Sequence, residues 1–264
     1  MVDVDFEWFD PQPAVDFHGL KTLLRQLLDI DAQLFDLSAL SDLILSQPTL
    51  GSTVKVDGNE SDPFAFLTVL NLHTHREVPV IKELASYLSR QSAHIPALSS
   101  LGSLLQNPEN QVGLILTERF INMPTEIVTP MYRMLLEEIT WALEDSEPYS
   151  FTHYLILSKT YLEVDSLLDA QASRPTKKGK AEKEKKKAVF YFHPEDEKLH
   201  EYCEGGNCWG DFEYETEADE GASDAKRAFQ DAGIRAMGHL MLVPAARFES
   251  AVQGMGEYLG AASG

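Results

Sequence analysis

Two cysteines in 264 residues, Cys203 and Cys208, are too few to staple a scaffold and fit a reducing compartment. No apolar run reaches the roughly 18 residues of a membrane helix; those near 67–72 and 114–116 are strand-sized. The opening, Met1-Val2-Asp3-Val4-Asp5, lacks the basic region and apolar core of a signal peptide and the Arg/Ser richness of a transit peptide. A chain on the cytosolic and nuclear side of membranes is expected, with no membrane insertion. Phosphate-binding glycine patterns are also missing. There is no GxxxxGK[ST], no GxGxxG after a strand and no GxSxG elbow, and Gly254-Met255-Gly256 is too isolated to count. Cofactors are therefore not expected.

Positive charge is the scarcest commodity. Twenty-two bases face 42 acids, for a net charge of −20. The bases are also concentrated. Residues 174–187 hold eight bases against two acids, so that segment is +6 and the rest of the chain −26. A body this acidic repels phosphate backbones, so direct nucleic-acid binding is not expected. It attracts basic surfaces and speeds encounter with them. Solubility alone is the alternative meaning.

What is there reads as alternating elements. Phe6–Phe9 suggests a short strand, closed by Asp10-Pro11-Gln12-Pro13. A helix from about Asp16, its N-cap, carries Leu20, Leu23, Leu24, Leu27 and Leu28 at the helical period. Leu37–Leu45 reads as a second helix, Thr53–Val56 as a strand and Asp57-Gly58 as a turn. The apolar stretches Phe64–Leu72 and Val112–Leu116 read as strands buried on both faces. Val78–Arg90 is helical by period, and Ser99–Asn110 reads as loop. Thr129-Pro130 suits a helix start, with the helix running to about Asp145; a start near Thr125 would require a kink at Pro130. Strands follow at Phe151–Tyr161, Ala188–Phe192 and Gly238–Pro244, then a helix through Phe248, Val252, Met255 and Leu259 that Gly260 could end. This order predicts a single α/β (α+β) domain over 1–264, with a central mixed sheet flanked by helices. Residues 171–187 read as a lysine-rich, disordered insertion between two strands able to pair as a hairpin.

Chemistry-bearing groupings are weak. His193, His200, Cys203 and Cys208 are the best metal set, but the short CxxC pair is missing and two ordinary loop cysteines are the commoner meaning. His73 and His75 read as exposed neighbours on a strand edge. Tyr154, Tyr161, Tyr191 and Tyr202 read as sheet packing rather than acid–base groups. Glu137, Glu138, Glu144 and Asp145 read as a solvated helix face. Nothing in the residues demands catalysis.

Two segments point outward. Lys177, Lys178, Lys180, Lys183, Lys185, Lys186 and Lys187 match the extended lysines that importin-type receptors grip, a nuclear localisation signal; a solvated linker is the alternative. Leu20–Ile30 has the leucine spacing of an export signal, although core burial explains it as well. Residues 195–220 carry eleven acids. Within them Phe212, Glu213, Tyr214, Glu215, Glu217 and Asp219 form the candidate partner-binding face, a half-exposed strand with an acidic rim and an apolar centre; a solvated acidic loop is the alternative.

Several long strings are specific. VGLILTERFINMPTEIVTPMY at 112–132, YLILSKTYLE within 151–163, DFEWFDPQPAVDFHGLKTLLRQLL at the start, the lysine insertion before KKAVFYF, and GHLMLVPAARFESAVQGMGEYL at the end resemble the BCCIP/BCP family, colinearly over nearly the whole chain. The tip at about 201–209 matches nothing in that pattern. The resemblance implies a fold similar to the GNAT acetyltransferases without acetyl-CoA binding. The residues agree with that implication. A GNAT cofactor loop offers backbone amides to pyrophosphate, whereas Thr117–Pro130 contains no glycine and carries Glu118 and Glu126. The resemblance further implies a non-enzymatic nuclear chaperone and export escort shuttling between nucleus and cytoplasm. Its expected partners are a basic large-subunit ribosomal protein, importin- and exportin-type receptors and a lipid kinase, and its process 60S ribosome biogenesis. The alternatives are an adaptor for DNA-repair and cell-cycle proteins, or a working GNAT-type acetyltransferase.

Overall fold

The computed structural model describes residues 5–163, 189–216 and 234–262. They form one eight-stranded mixed sheet with helices on both faces. In chain order the elements are β1 (Glu7–Phe9), α1 (Pro13–Leu28), α2 (Leu37–Leu45), β2 (Ser52–Lys55), β3 (Ala65–Asn71), α3 (Pro79–Ala93), α4 (Leu101–Gln106), β4 (Val112–Arg119), α5 (Val128–Glu144), β5 (His153–Glu163), β6 (Val189–Tyr191), α6 (Glu195–Leu199), β7 (Trp209–Phe212), β8 (Ile234–Pro244) and α7 (Ala245–Ala262). The strand order is β1-β2-β3-β4-β5-β8-β7, with β6 paired to β5 beside that path. Every pairing is antiparallel except β4 with β5, which α5 joins by a crossover. A parallel pair needs such a long connection.

The apolar runs became the central strands. All seven residues of β3 are buried, as a strand covered on both faces requires. The leucine stripe of α1 (Leu20, Leu23, Leu24, Leu27, Leu28) is core, so the folded chain does not present it as an export signal. Asp57 and Gly58 both have positive φ (64° and 90°), the turn their sequence suggested. The expected hairpin across the lysine insertion also forms: Thr160, Tyr161 and Leu162 of β5 face Tyr191, Phe190 and Val189 of β6.

Several local expectations need correction. Asp16 is not the cap of α1. The helix starts at Pro13, which needs no amide partner there, and Asp16 is buried in the first turn, accepting from the Gln12 amide and pairing with Lys55 at 2.6 Å. The stretch 99–110 is not all loop, because Leu101, fully buried, anchors the short helix α4. Residues Thr125–Ile127 form a 3-10 turn leading into α5, so Thr129 is not a cap. Pro130 sits in the first helical turn, where its missing amide costs no bond and no kink is required. Gly260 does not end α7, which continues to Ala262. His73 and His75 lie in the turn after β3 rather than on a strand. Among the described residues, no helix is long and apolar enough to cross a membrane.

Candidate functional site

The β4–β5 ladder ends at Leu116 opposite Leu157, yet both strands go on. β4 follows β3 to Arg119, while β5 follows β8 to Glu163. The two strands thus open a fork, and the chain fills it with its own residues. β6 takes the vacated edge of β5, and the Phe192 amide donates to the Lys159 carbonyl at 3.2 Å. The next residues carry a buried ionic network across the gap. Lys159 Nζ lies 2.6 Å from Glu118 Oε2, and His193 Nε2 lies 3.2 Å from Glu118 Oε1. His193 Nδ1 is 3.0 Å from Ser158 Oγ, which donates to Asp196 at 2.5 Å. Arg119 makes a forked pair with Glu195 at 2.5 and 3.0 Å.

Burial and neighbours pull these acids in opposite directions. Burial opposes ionisation of Glu118, but His193 and Lys159 outweigh it and hold its pKa down to about 2. Burial likewise disfavours the Glu195 charge, and Arg119 prevails, so its pKa is lowered. Asp196 goes the other way. Burial, reinforced by the Glu195 charge, lifts it to about 6 despite His193.

The four proposed metal ligands do not converge. His193 belongs to the fork. His200 stacks on Trp209 at 3.8 Å and meets His239 Nε2 at 2.8 Å, and His239 in turn binds Asp211 at 2.7 Å. Burial and the neighbouring His239 lower the His200 pKa to about 3. Cys203 donates to the Leu199 carbonyl and Cys208 to the Ala97 carbonyl. Among the described residues no three histidine, cysteine or acidic side chains are grouped to hold a metal.

The acidic stretch is mostly built into the fold. Phe212 is buried, its ring close over Gly238 and edge-on to Tyr87. Tyr214 packs against the core. These two are therefore not the exposed apolar centre of a binding face. Glu213 is exposed and pairs with Arg235 at 3.0 Å. Glu215 is clamped by Arg90 and Gln91. Asp31 accepts the amides of Glu215 and Thr216, and the Tyr87 hydroxyl as well. Glu195 and Asp196, read as part of a wet acidic run, are buried. Glu217 and Asp219 lie outside the described residues, as do Lys177, Lys178, Lys180, Lys183, Lys185, Lys186 and Lys187.

Sequence reasoning missed two features. The first is the fork, although it left a signal: the dipeptides Glu118-Arg119 and Ser158-Lys159 directly continue buried apolar strands, where charge must find partners. The second is a groove of about 400 Å³ between α5, the turn after β1 and the α2–β2 loop. Glu138, expected on a solvated face, is buried there. It accepts from the Gly51 amide at 2.9 Å and the Ser52 hydroxyl at 3.2 Å. Burial raises its pKa, and the charges of Asp10 and Glu137 add to the rise. Beside it Trp141 stands 55% exposed.

The fold and these sites define a mixed-sheet α/β protein in which, among the described residues, the one parallel fork is sealed by the chain itself. A BCCIP family model matches residues 1–199. Protein bcp1 of Aspergillus fumigatus is 60% identical over 260 residues, covering 98% of this chain and 88% of that protein. Protein bcp1 of Schizosaccharomyces pombe is 51% identical over 256 residues, covering 95% of this chain and 88% of its own length. The crystal structure of BCP1 from Saccharomyces cerevisiae superposes with a TM-score of 0.66 at 27% identity, over 96% of this chain and 88% of that one. The chain belongs to the BCCIP family.

Proposed function

We propose that this protein is a non-catalytic nuclear escort that shields a basic large-subunit ribosomal protein until ribosomal RNA replaces it, supporting nuclear export and 60S biogenesis. The observation that carries the reading is the charge: −26 outside one lysine-rich segment. A ribosomal protein off its RNA is a dense cation prone to aggregation, and an acidic surface steers to it and screens it. Nuclear entry is assigned to Lys177–Lys187. Replacing Lys177, Lys178, Lys180, Lys185, Lys186 and Lys187 by Ala should leave stability unchanged and move a fluorescent fusion to the cytoplasm; continued nuclear concentration would show that entry depends on something else.

The sheet order, with its single parallel pair, supports reading the fold as GNAT-like. Two features speak against acetyl-CoA as its ligand. The 117–130 junction has no glycine to form an amide nest for pyrophosphate, and β6 with the His193–Asp196 network occupies the fork. Titration calorimetry with acetyl-CoA should give no binding heat, and saturable binding competed by CoA would overturn the non-enzyme reading. The escort role itself is tested by light scattering. A purified basic large-subunit ribosomal protein at physiological salt should stay clear with an equimolar amount of this chain and turn turbid without it. Equal turbidity in both would contradict the proposal.

A further inference from the structure

The escort reading leaves open where on this acidic body a basic partner is gripped. The acidic stretch around β7 offers no apolar centre among its described residues, since Phe212 is buried and Glu213 and Glu215 already have cationic partners. The groove beside α5 differs in each respect. Met134, Glu137, Glu138 and Trp141 follow the helical period and share one stripe. Trp141 is the most exposed of the three tryptophans, for Trp8 and Trp209 are half-buried. Asp10 faces the stripe from the turn after β1, and among the described residues no lysine or arginine lines the groove. Arg133, one turn earlier on α5, lies instead against Gly256 of α7. Burial is the main cause of the raised Glu138 pKa, and the like charges of Asp10 and Glu137 add to it.

The groove is also stiff. Gly51, at φ 120°, is held by its hydrogen bond to Glu138 and closely covered by Thr68, so the opposite wall is fixed before anything binds. A preformed wall lowers the ordering cost of binding.

We propose that this groove seats an arginine side chain of the basic partner, its guanidinium flat on the Trp141 indole and hydrogen-bonded to Glu137 and Asp10; this rests on the escort reading. Arginine fits better than lysine because its planar cation stacks on an indole and forks onto carboxylates at once. A second copy of this chain is a poor occupant, since association would bring together two bodies of net charge −20.

The test uses the full chain and a short capped peptide of alternating arginine and glycine. Binding is followed by calorimetry and tryptophan fluorescence at physiological salt. Trp141→Ala should weaken binding roughly tenfold, as a lost stacked cation predicts. The double change Asp10→Asn with Glu137→Gln should weaken it several-fold. Glu249→Gln with Glu257→Gln, which removes the same charge from exposed positions on α7, should leave affinity within a factor of about two. A lysine–glycine peptide should bind several-fold more weakly than the arginine one. All five substituted side chains are at the surface, and unchanged thermal melting confirms that the variants are folded. If Trp141→Ala binds like wild type, or if the two double variants weaken binding equally, the groove is not the seat, although the escort reading survives. If wild type binds neither this peptide nor a whole basic ribosomal protein, both fail. A wild-type dimer that Trp141→Ala dissociates would assign the groove to a second copy and overturn the proposal.

Discussion

Glu118 lies between Lys159 and His193 with almost no access to water, and its charge holds both in the fork. Lys159 also donates to the Gln26 carbonyl and rests over the Phe192 ring, so it cannot swing out to solvent cheaply. Glu118→Gln leaves that ammonium buried without a counter-charge, which costs about 3–5 kcal/mol. Urea unfolding should show the loss, and an unchanged midpoint would mean the network is not structural. The pH dependence has a defined sign. A carboxylate lowered from 4.5 to about 2 contributes fully above about pH 4.5, and that contribution fades as pH falls towards 2. The Gln variant should be flatter than wild type across that window. Asp196 has the opposite sign. Raised from 3.8 to about 6, it contributes below about pH 3.8 and loses that contribution as pH rises through 6. Asp196→Asn should therefore gain stability relative to wild type as pH climbs through this range, and stability curves that stay parallel would refute the assignment. Single polar residues were the least legible part of the sequence. Glu138 looked like a solvated helix face because periodicity records which side of a helix is apolar, not whether a neighbouring loop such as 47–51 covers the other side. Asp31 gave no signal either, because its partners, Tyr87, Glu215 and Thr216, come from distant parts of the chain.

Elements were far easier to read. β3, α1, α2 and α3 follow from unbroken apolar runs or clear helical periods, because their burial is set by the whole segment rather than by one contact. α4 escaped because Gly102 lies inside it and Pro108 follows it closely, both loop signals, while a single buried leucine holds it down. The strand expected through Phe212 and Tyr214 lies earlier, at β7 (Trp209–Phe212), and its phenylalanine faces the core. Phe212 was expected to be half-exposed for a partner, whereas its ring fills the space over Gly238, where an added Cβ would come within 2.0 Å of it. Phe212→Ala should thus act as a core truncation, lowering unfolding free energy by about 3–5 kcal/mol. Denaturant unfolding checks this directly, and a variant of normal stability that had lost partner binding would restore the docking role. Gly238→Ala should also destabilise the β7–β8 pair, by about 1–3 kcal/mol through overpacking, and an unchanged unfolding midpoint would show that the ring can move aside.

Across the whole molecule, the charge separation and the mixed sheet were both visible in the sequence, and the parallel β4–β5 pair follows from the length of the α5 crossover. The closure of the fork was not, because it depends on β6 and α6 returning to β5 after a long insertion that separates them in sequence. A body carrying −26 outside one basic segment should capture a cationic partner in two physically distinct stages. Long-range attraction brings the partner in and is screened by salt; short-range apolar and stacked contacts then set the lifetime and are screened little. Stopped-flow binding of a basic large-subunit ribosomal protein, at low and at physiological salt, tests this most directly. The account predicts that the association rate falls several-fold with added salt while the dissociation rate hardly changes. An association rate indifferent to salt, or no complex at either salt, would contradict it.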